Sequence, residues 1–276
     1  MNNKQIVSIL SLSSILLFKT NPAQALSINL YNGSGLPENQ NYLAPAALDS
    51  AGQSVSMQTS IVTNGVAIDS NANNAEYSGY TNHLPNPLNP SGLVPINSSF
   101  PRLDRDIGYS IFFTVALDSN NNNFTDLSDD RAAFSITVIG TNNEGIELGF
   151  DSDRIFAQSS NFIREETTNN FTTSTFNSYE LKVDSNGYEL FANSLTTPIL
   201  NGALRTYNFT PLASNPPLLF NPYETESFLF LGDNTGQAYG TFTLGAISVS
   251  SVPFNFSPTL GLTLVGFGIW LRRKKI

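Results

Sequence analysis

The chain has no cysteine among its 276 residues. Disulfide staples are therefore excluded, and with them thiol catalysis and cysteine-ligated metal sites. Histidine occurs once, as His83 in Asn82-His83-Leu84-Pro85. A Ser-His-Asp triad would have to use it, and no Gly-x-Ser-x-Gly elbow precedes a helical pattern. A lone histidine in a loop-like context reads first as plain surface. Tryptophan also occurs once, as Trp270 near the C-terminus. Any sugar-stacking surface would therefore draw on the Tyr 10 and Phe 20. Charged residues make up only 13% of the chain, and Asn, Ser and Thr fill the polar surface instead. Between residues 26 and 252 no segment carries a convincing helical stripe.

Basic charge is scarce and concentrated at the ends. Lys+Arg number 13 against Asp+Glu 22; Lys4, Lys19, Arg272, Arg273, Lys274 and Lys275 lie in the two terminal segments, which hold no acids, leaving seven cations against 22 acids and a net of −15 between them. Such a surface repels nucleic acid and anionic lipid headgroups, so no nucleic-acid partner is expected.

The ends have a processing grammar. Lys4, an apolar run from Ile6 to Phe18, and Ala23-Gln24-Ala25 follow the order of a secretory signal peptide. Cleavage by signal peptidase is expected after Ala25, with Ala23 and Ala25 as the small residues it reads. The apolar run is too short for the ~20 residues of a spanning helix. At the other end, Pro253-Phe254-Asn255-Phe256-Ser257-Pro258 leads into an apolar stretch to Leu271, closed by Arg272-Arg273-Lys274-Lys275. Ser257 and Pro258 suit a helix start. A helix from Pro258 to Leu271 would be about 21 Å long at 1.5 Å per residue, short of a ~30 Å hydrocarbon core. That length suits a segment held in the inner membrane until processing; a permanent anchor is the other reading. The predicted layout is a signal peptide at 1–25, one domain at 26–252 and a sorting segment at 253–276.

Alternation of period two dominates the middle. Tyr109, Ile111, Phe113, Val115 and Leu117 share one face of a strand. Phe134, Ile136 and Val138 form a second set, Ile146, Leu148 and Phe150 a third, and Tyr179, Leu181 and Val183 a fourth. Each predicts a strand with one face in a core and the other in water. Asp184-Ser185-Asn186-Gly187 predicts a tight hairpin, and Asp151-Ser152-Asp153 another turn. Residues 34–100, rich in Asn, Pro and Gly, read as long connections around one or two strands, chiefly Ser56 to Ile68. The predicted class is all-β, a two-sheet antiparallel sandwich of jelly-roll type, with a signal helix before it and a hydrophobic helix after it.

Two resemblances add to this reading. The C-terminal proline motif, glycine-containing apolar stretch and basic cluster resemble the PEP-CTERM sorting signals of Gram-negative bacteria. Val252 to Pro258 is most similar to the cyanobacterial variant with Pro-Phe-Glu-Phe, Asn255 replacing its glutamate. This resemblance implies an exosortase-type protease as partner and delivery to the cell envelope or extracellular matrix. Asp130-Arg131-Ala132-Ala133-Phe134, Gly145 to Phe150, Tyr179 to Val183, Tyr188-Glu189-Leu190 and Leu231 to Thr235 together resemble exported cyanobacterial domains of concanavalin A or laminin-G type, also called choice-of-anchor domains. That implies a lectin-like sandwich and is nearly silent on activity.

Chemistry has few places to reside. Asp118, Asn120, Asn122, Phe124 (through its carbonyl), Asp126 and Asp129 fit positions 1, 3, 5, 7, 9 and 12 of a calcium loop, with Asn123 where glycine is usual. A polar, asparagine-rich connection explains the same residues. For glycoside hydrolysis, Glu224 and Glu226 would share a strand face and Glu165-Glu166 are adjacent, but paired acids on an acidic protein are usually solvated. Tyr77, Tyr80 and Tyr223, in loop-like contexts, are available to sugars or to the sandwich itself. Asp233 reads as a turn-closing residue. The expectation is a non-catalytic envelope or matrix protein with a structural or polysaccharide-binding role. A carbohydrate-active hydrolase on the same fold is the alternative.

Overall fold

Strand-forming alternation is realised over most of the middle of the chain. In the computed structural model, residues 27–75, 77–121, 130–210 and 220–251 are described. The signal-peptide residues Ala23 and Ala25, the sorting residues Pro253 to Pro258, the basic cluster Arg272 to Lys275, and the segments expected to form the two terminal helices lie outside them. No helix among the described residues is long and apolar enough to cross a membrane.

In chain order the strands are β1 (Ser27–Tyr31), β2 (Ala44–Leu48), β3 (Gln58–Val62), β4 (Gly65–Asp69), β5 (Tyr77–Thr81) and β6 (His83–Asn86). Then follow β7 (Asn89–Pro95), β8 (Tyr109–Asn121), β9 (Phe134–Ile139), β10 (Gly145–Asp151), β11 (Arg154–Gln158) and β12 (Arg164–Thr167). The last are β13 (Asn177–Asp184), β14 (Gly187–Ala192), β15 (Leu200–Gly202), β16 (Phe228–Asp233) and β17 (Tyr239–Ser251). An eight-stranded sheet has the order β15-β14-β13-β8-β17-β4-β3, with β1 also on β17. A seven-stranded sheet has the order β12-β11-β10-β9-β16-β5-β2, and β6-β7 form a separate ribbon. Neighbours pair antiparallel throughout. The two large sheets pack as a sandwich.

The core lies between them. Tyr109, Ile111, Phe113, Val115 and Leu117 of β8 all face inward, as do Phe242, Leu244, Ile247 and Val249 of β17. The register of β17 slips between Leu244 and Ile247, so a bulge at Gly245-Ala246 keeps both residues inward despite their odd spacing. A Cβ on Gly245 would sit 2.6 Å from the tip of the Phe176 ring, which would have to swing aside. Phe113, Phe134, Phe150, Tyr179 and Phe242 form one aromatic cluster with centroids 5.0–6.1 Å apart. Each such buried ring contributes about 1.5–3 kcal/mol of burial. The hairpin at Ser185-Asn186 forms, with Asp184 opposite Gly187 and the Asp184 carboxylate accepting the Asn186 N–H at 2.8 Å. Asp151 and Arg154 close the other expected turn.

Three expectations are corrected. Residues 34–100 hold six strands, β2 to β7, rather than one or two. The stretch from Ser56 to Ile68, where strand was chiefly expected, holds the hairpin β3–β4, reversed at Thr63-Asn64, where Asn64 adopts φ 66°. The second correction concerns the wet faces. β9, β10 and β16 are buried on both sides. Another layer must therefore cover the outside of the seven-stranded sheet.

His83 is also not a surface residue. It lies in β6, buried, with its ring 5.9 Å from Phe228. The Asn82 Oδ1 accepts the Leu229 N–H at 2.8 Å, so the His83 Nδ1, 2.7 Å from the same oxygen, must carry the proton and donate. Burial lowers the His83 pKa to about 4. The unfolded chain takes up a proton near the ordinary value of ~6.5, before the folded one does, so stability is full above that pH and falls as pH drops toward about 4. Allowing for partial solvent screening, the loss should be about 1–3 kcal/mol. Urea unfolding at pH 7.0 and 4.5 checks this: His83→Gln should lose less stability between the two than the wild type.

Candidate functional site

The outer face of the seven-stranded sheet carries a carboxylate where the alternation predicts a solvated one. Glu147 stands on the face of β10 opposite Ile146 and Leu148, with Thr137 of β9 beside it and Phe230 of β16 next in the row. Glu147 is 0% exposed. What covers it is a set of connections: the β11–β12 loop, the segment 203–209, and a short 3₁₀ helix at Pro222–Glu224. Tyr207, Tyr223, Phe228 and Phe230 form a second hydrophobic cluster there with Ile139, and Phe162 and Phe209 pack on it. The ring centroids of Phe162, Tyr207, Tyr223 and Phe209 lie 4.9–5.4 Å apart.

The local chemistry explains how each piece is held. Pro222 suits the first position of the 3₁₀ helix, and the Asn221 side chain accepts the Tyr223 N–H at 3.0 Å. That aims the Tyr223 hydroxyl at Glu147, to whose Oε2 it donates. Thr137 Oγ1 donates to the same oxygen at 3.3 Å. Oε1 accepts no hydrogen bond among the described residues and faces the Arg131 guanidinium at 3.5 Å. Arg131 also donates to the Asn234 carbonyl at 3.2 Å and lies over the Phe162 ring at 5.2 Å. Burial first, then the nearby Glu147 charge, push the Tyr207 and Tyr223 phenols far above their ordinary pKa. Both remain protonated.

β10 and β11 separate just beyond the Leu148–Ala157 pair. The Tyr207 hydroxyl fills the gap, accepting the Glu147 N–H at 2.6 Å and donating to the Gln158 carbonyl at 3.4 Å. Arg205 then takes over as the neighbour of β10, exchanging both backbone hydrogen bonds with Gly145 at 2.9 and 3.0 Å. A Cβ on Gly145 would lie 2.0 Å from the Val138 carbonyl, which is why this crowded position is glycine. The Arg205 guanidinium clamps the departing strand, reaching Gln158 O at 2.8 Å, Glu165 at 2.5 Å and Glu166 at 2.9 Å. The β11–β12 loop is strained: Phe162 adopts φ 60°, a conformation that bulky residues avoid. Ser159 holds it there, its carbonyl accepting the Phe162 N–H at 3.0 Å and its Oγ the Ile163 N–H at 3.1 Å. Strain of this kind is typical of ligand sites.

These loops enclose a cleft of about 610 Å³, walled by the rings of Tyr77, Phe162, Phe209 and Tyr223. Asp130, Arg131, Asn161, Asn234 and Gln237 supply its polar groups. A second cleft of about 410 Å³ adjoins it along Asn161 and Ile163, with Ser160, Glu165, Ala203 and Arg205 on its walls.

Several residues singled out from the sequence fall elsewhere. Asp118 and Asn120 belong to strand β8, and the Asp118 carboxylate accepts from Thr243 Oγ1 at 2.9 Å. Asn122, Phe124, Asp126 and Asp129 lie outside the described residues. Among the described residues no group of three or more His, Asp or Glu could hold a metal ion. Glu224 and Glu226 do not share a strand face: the first is on the 3₁₀ helix and the second in the turn after it. Glu165 and Glu166 converge on Arg205 instead. Tyr77 and Tyr80 are in β5 rather than loops; Tyr80 is fully buried and donates to Glu38 at 2.9 Å. Asp233 closes its turn as expected, accepting the Thr235 N–H at 3.1 Å. Glu147, Arg131, Phe162 and Tyr207 were not singled out. The available signal was the small residues on either side of Glu147, Gly145 and Gly149, which mark a crowded strand rather than a wet one.

No protein-family model matches the chain. No curated protein matches it. Solved structures do, at low identity. A carbohydrate esterase from the Shiga toxin-encoding bacteriophage phi24B is 10% identical over 82% of this chain and 97% of its own, with a TM-score of 0.47. Domain 4 of an extracellular arabinanase from Geobacillus stearothermophilus, in complex with arabinotriose, is 12% identical over 82% and 94%, with a TM-score of 0.43. A Bacillus subtilis protein of galectin-like fold is 8% identical over 84% and 98%, with a TM-score of 0.44. At these values each likeness concerns the path of the chain alone.

Proposed function

We propose that this protein is an exported, lectin-like sandwich of concanavalin A-like jelly-roll type that binds polysaccharide without cleaving it, at the cleft over the seven-stranded sheet. The observation that carries this reading is the composition of the cleft wall. It combines the rings of Tyr77, Phe162, Phe209 and Tyr223 with the amides of Asn161, Asn234 and Gln237. Rings suit the apolar faces of sugars, and amides suit their hydroxyls. Asp130 is the one carboxylate among the described residues lining it, whereas glycoside hydrolysis uses a pair about 5–10 Å apart. The reading extends to the ends of the chain: signal peptidase cuts after Ala25, and an exosortase-type protease acts at Pro253 to Pro258 on the way to the cell envelope or matrix.

A glycan array combined with a reducing-end assay tests it. The protein should retain at least one polysaccharide class and release no reducing ends. Phe209→Ala should weaken retention about tenfold, the equivalent of ~1.4 kcal/mol, with little change in melting temperature, because Phe209 is only half-buried. Release of reducing ends, or retention indifferent to Phe209→Ala, would overturn the proposal.

A further inference from the structure

We infer that the two adjoining clefts form one groove for a neutral polysaccharide chain several sugars long, and that the groove disfavours polyanions; this rests on the carbohydrate-binding reading. The first argument is continuity. Asn161 and Ile163 belong to the walls of both clefts. The Asn161 side-chain oxygen accepts the Asn208 amide at 2.7 Å, which leaves its own amide N–H groups as donors beside the shared rim. Ile163, 55% exposed, offers an apolar surface at the same saddle. Together the volumes of about 610 and 410 Å³ exceed what one sugar ring fills.

The second argument is charge. The clefts have one cation each on their walls, Arg131 and Arg205. Both are committed to the protein. Arg131 faces Glu147 and donates to Asn234. Arg205 is divided between Glu165, Glu166 and the Gln158 carbonyl, with its side chain only 10% exposed. The carboxylates are less enclosed: the Glu165 side chain is 52% exposed, and Asp130 lines the first cleft. A uronic acid or sulfated sugar would meet acids and find both guanidinium groups occupied. Hydroxyls of a neutral chain can donate to those same carboxylate oxygens.

Titration calorimetry with the whole protein separates the possibilities. The probes are cello-, xylo-, manno- and laminari-oligosaccharides of two and six sugars, with polygalacturonate as the anionic chain. One neutral hexamer should bind at least tenfold more tightly than its dimer, and polygalacturonate at least tenfold more weakly than that hexamer. Ala203→Trp fills the second cleft from an exposed position. It should erase the hexamer's advantage and leave dimer affinity within twofold, which also shows that the variant is folded. Asn161→Ala should reduce the same advantage. Tighter binding of polygalacturonate, or a length advantage untouched by Ala203→Trp and Asn161→Ala, overturns the groove while leaving the first cleft as a binding site. No binding by any neutral probe overturns the carbohydrate reading itself.

Discussion

Glu147→Ala will lower the free energy of unfolding by about 3–5 kcal/mol. The substitution removes the counter-charge of Arg131, whose side chain is 12% exposed, and strands that cation where water reaches it poorly. It also removes the acceptor of the Tyr223 and Thr137 hydroxyls, and each buried donor left unmade costs about 1–3 kcal/mol. These penalties overlap, so they do not add. Glu147→Gln keeps an oxygen for Tyr223 and should lose less. The decisive comparison is with the double variant Glu147→Leu/Arg131→Met. Replacing both members of a buried pair with apolar groups is often nearly neutral, so urea titration should find the double variant more stable than Glu147→Ala. If Glu147→Ala unfolds at the wild-type midpoint, the carboxylate is solvated and the covering layer over β10 is not closed as described.

Phe150→Ala should cost a similar amount, about 3–5 kcal/mol. Phe150 projects from β10 to the other side, into the sandwich. Its ring meets Phe134 at 5.2 Å and Tyr179 at 5.3 Å, both edge-on, and Phe113 at 6.1 Å. The neighbours belong to three different strands in both sheets, so the cavity cannot collapse without moving the sheets together. Phe112 provides the internal control. It adjoins Phe113 in sequence but points outward from β8 and is 38% exposed. Phe112→Ala should cost under about 1 kcal/mol by the same burial argument. Thermal unfolding of the two variants side by side checks the difference in one experiment.

How much of this was legible in the sequence depended on how each strand meets its surroundings. β8, β13 and the inward faces of β9 and β10 alternate cleanly because large apolar residues face a single core, and their pairing follows from that pattern. β5 reads Tyr77-Ser78-Gly79-Tyr80-Thr81 and β2 reads Ala44-Pro45-Ala46-Ala47-Leu48. Small and polar residues hide their periodicity, and their strand character comes from pairing with β16 and with each other. The candidate site was less legible still. A glutamate alternating with Ile146 and Leu148 looks solvated, and only the fold brings segments near residues 131, 162, 207 and 223 over it. Those covering segments have no period of their own, since aromatic rings at irregular intervals fill a surface rather than form an element. Asp118, the first position of the supposed calcium loop, looked like the start of a connection because asparagines follow it, yet β8 continues to Asn121.

The phenolic oxygen of Tyr207 occupies a place in the β10 ladder that a backbone carbonyl would ordinarily take. One face of that ring stacks on Phe162, a wall of the cleft, at 5.4 Å. Tyr207 thus joins Tyr223 and Arg131 in tying the wall to the framework. Under the proposed function, a sugar resting on Phe162 would meet a wall already held in place, and little ordering entropy would be lost on its arrival.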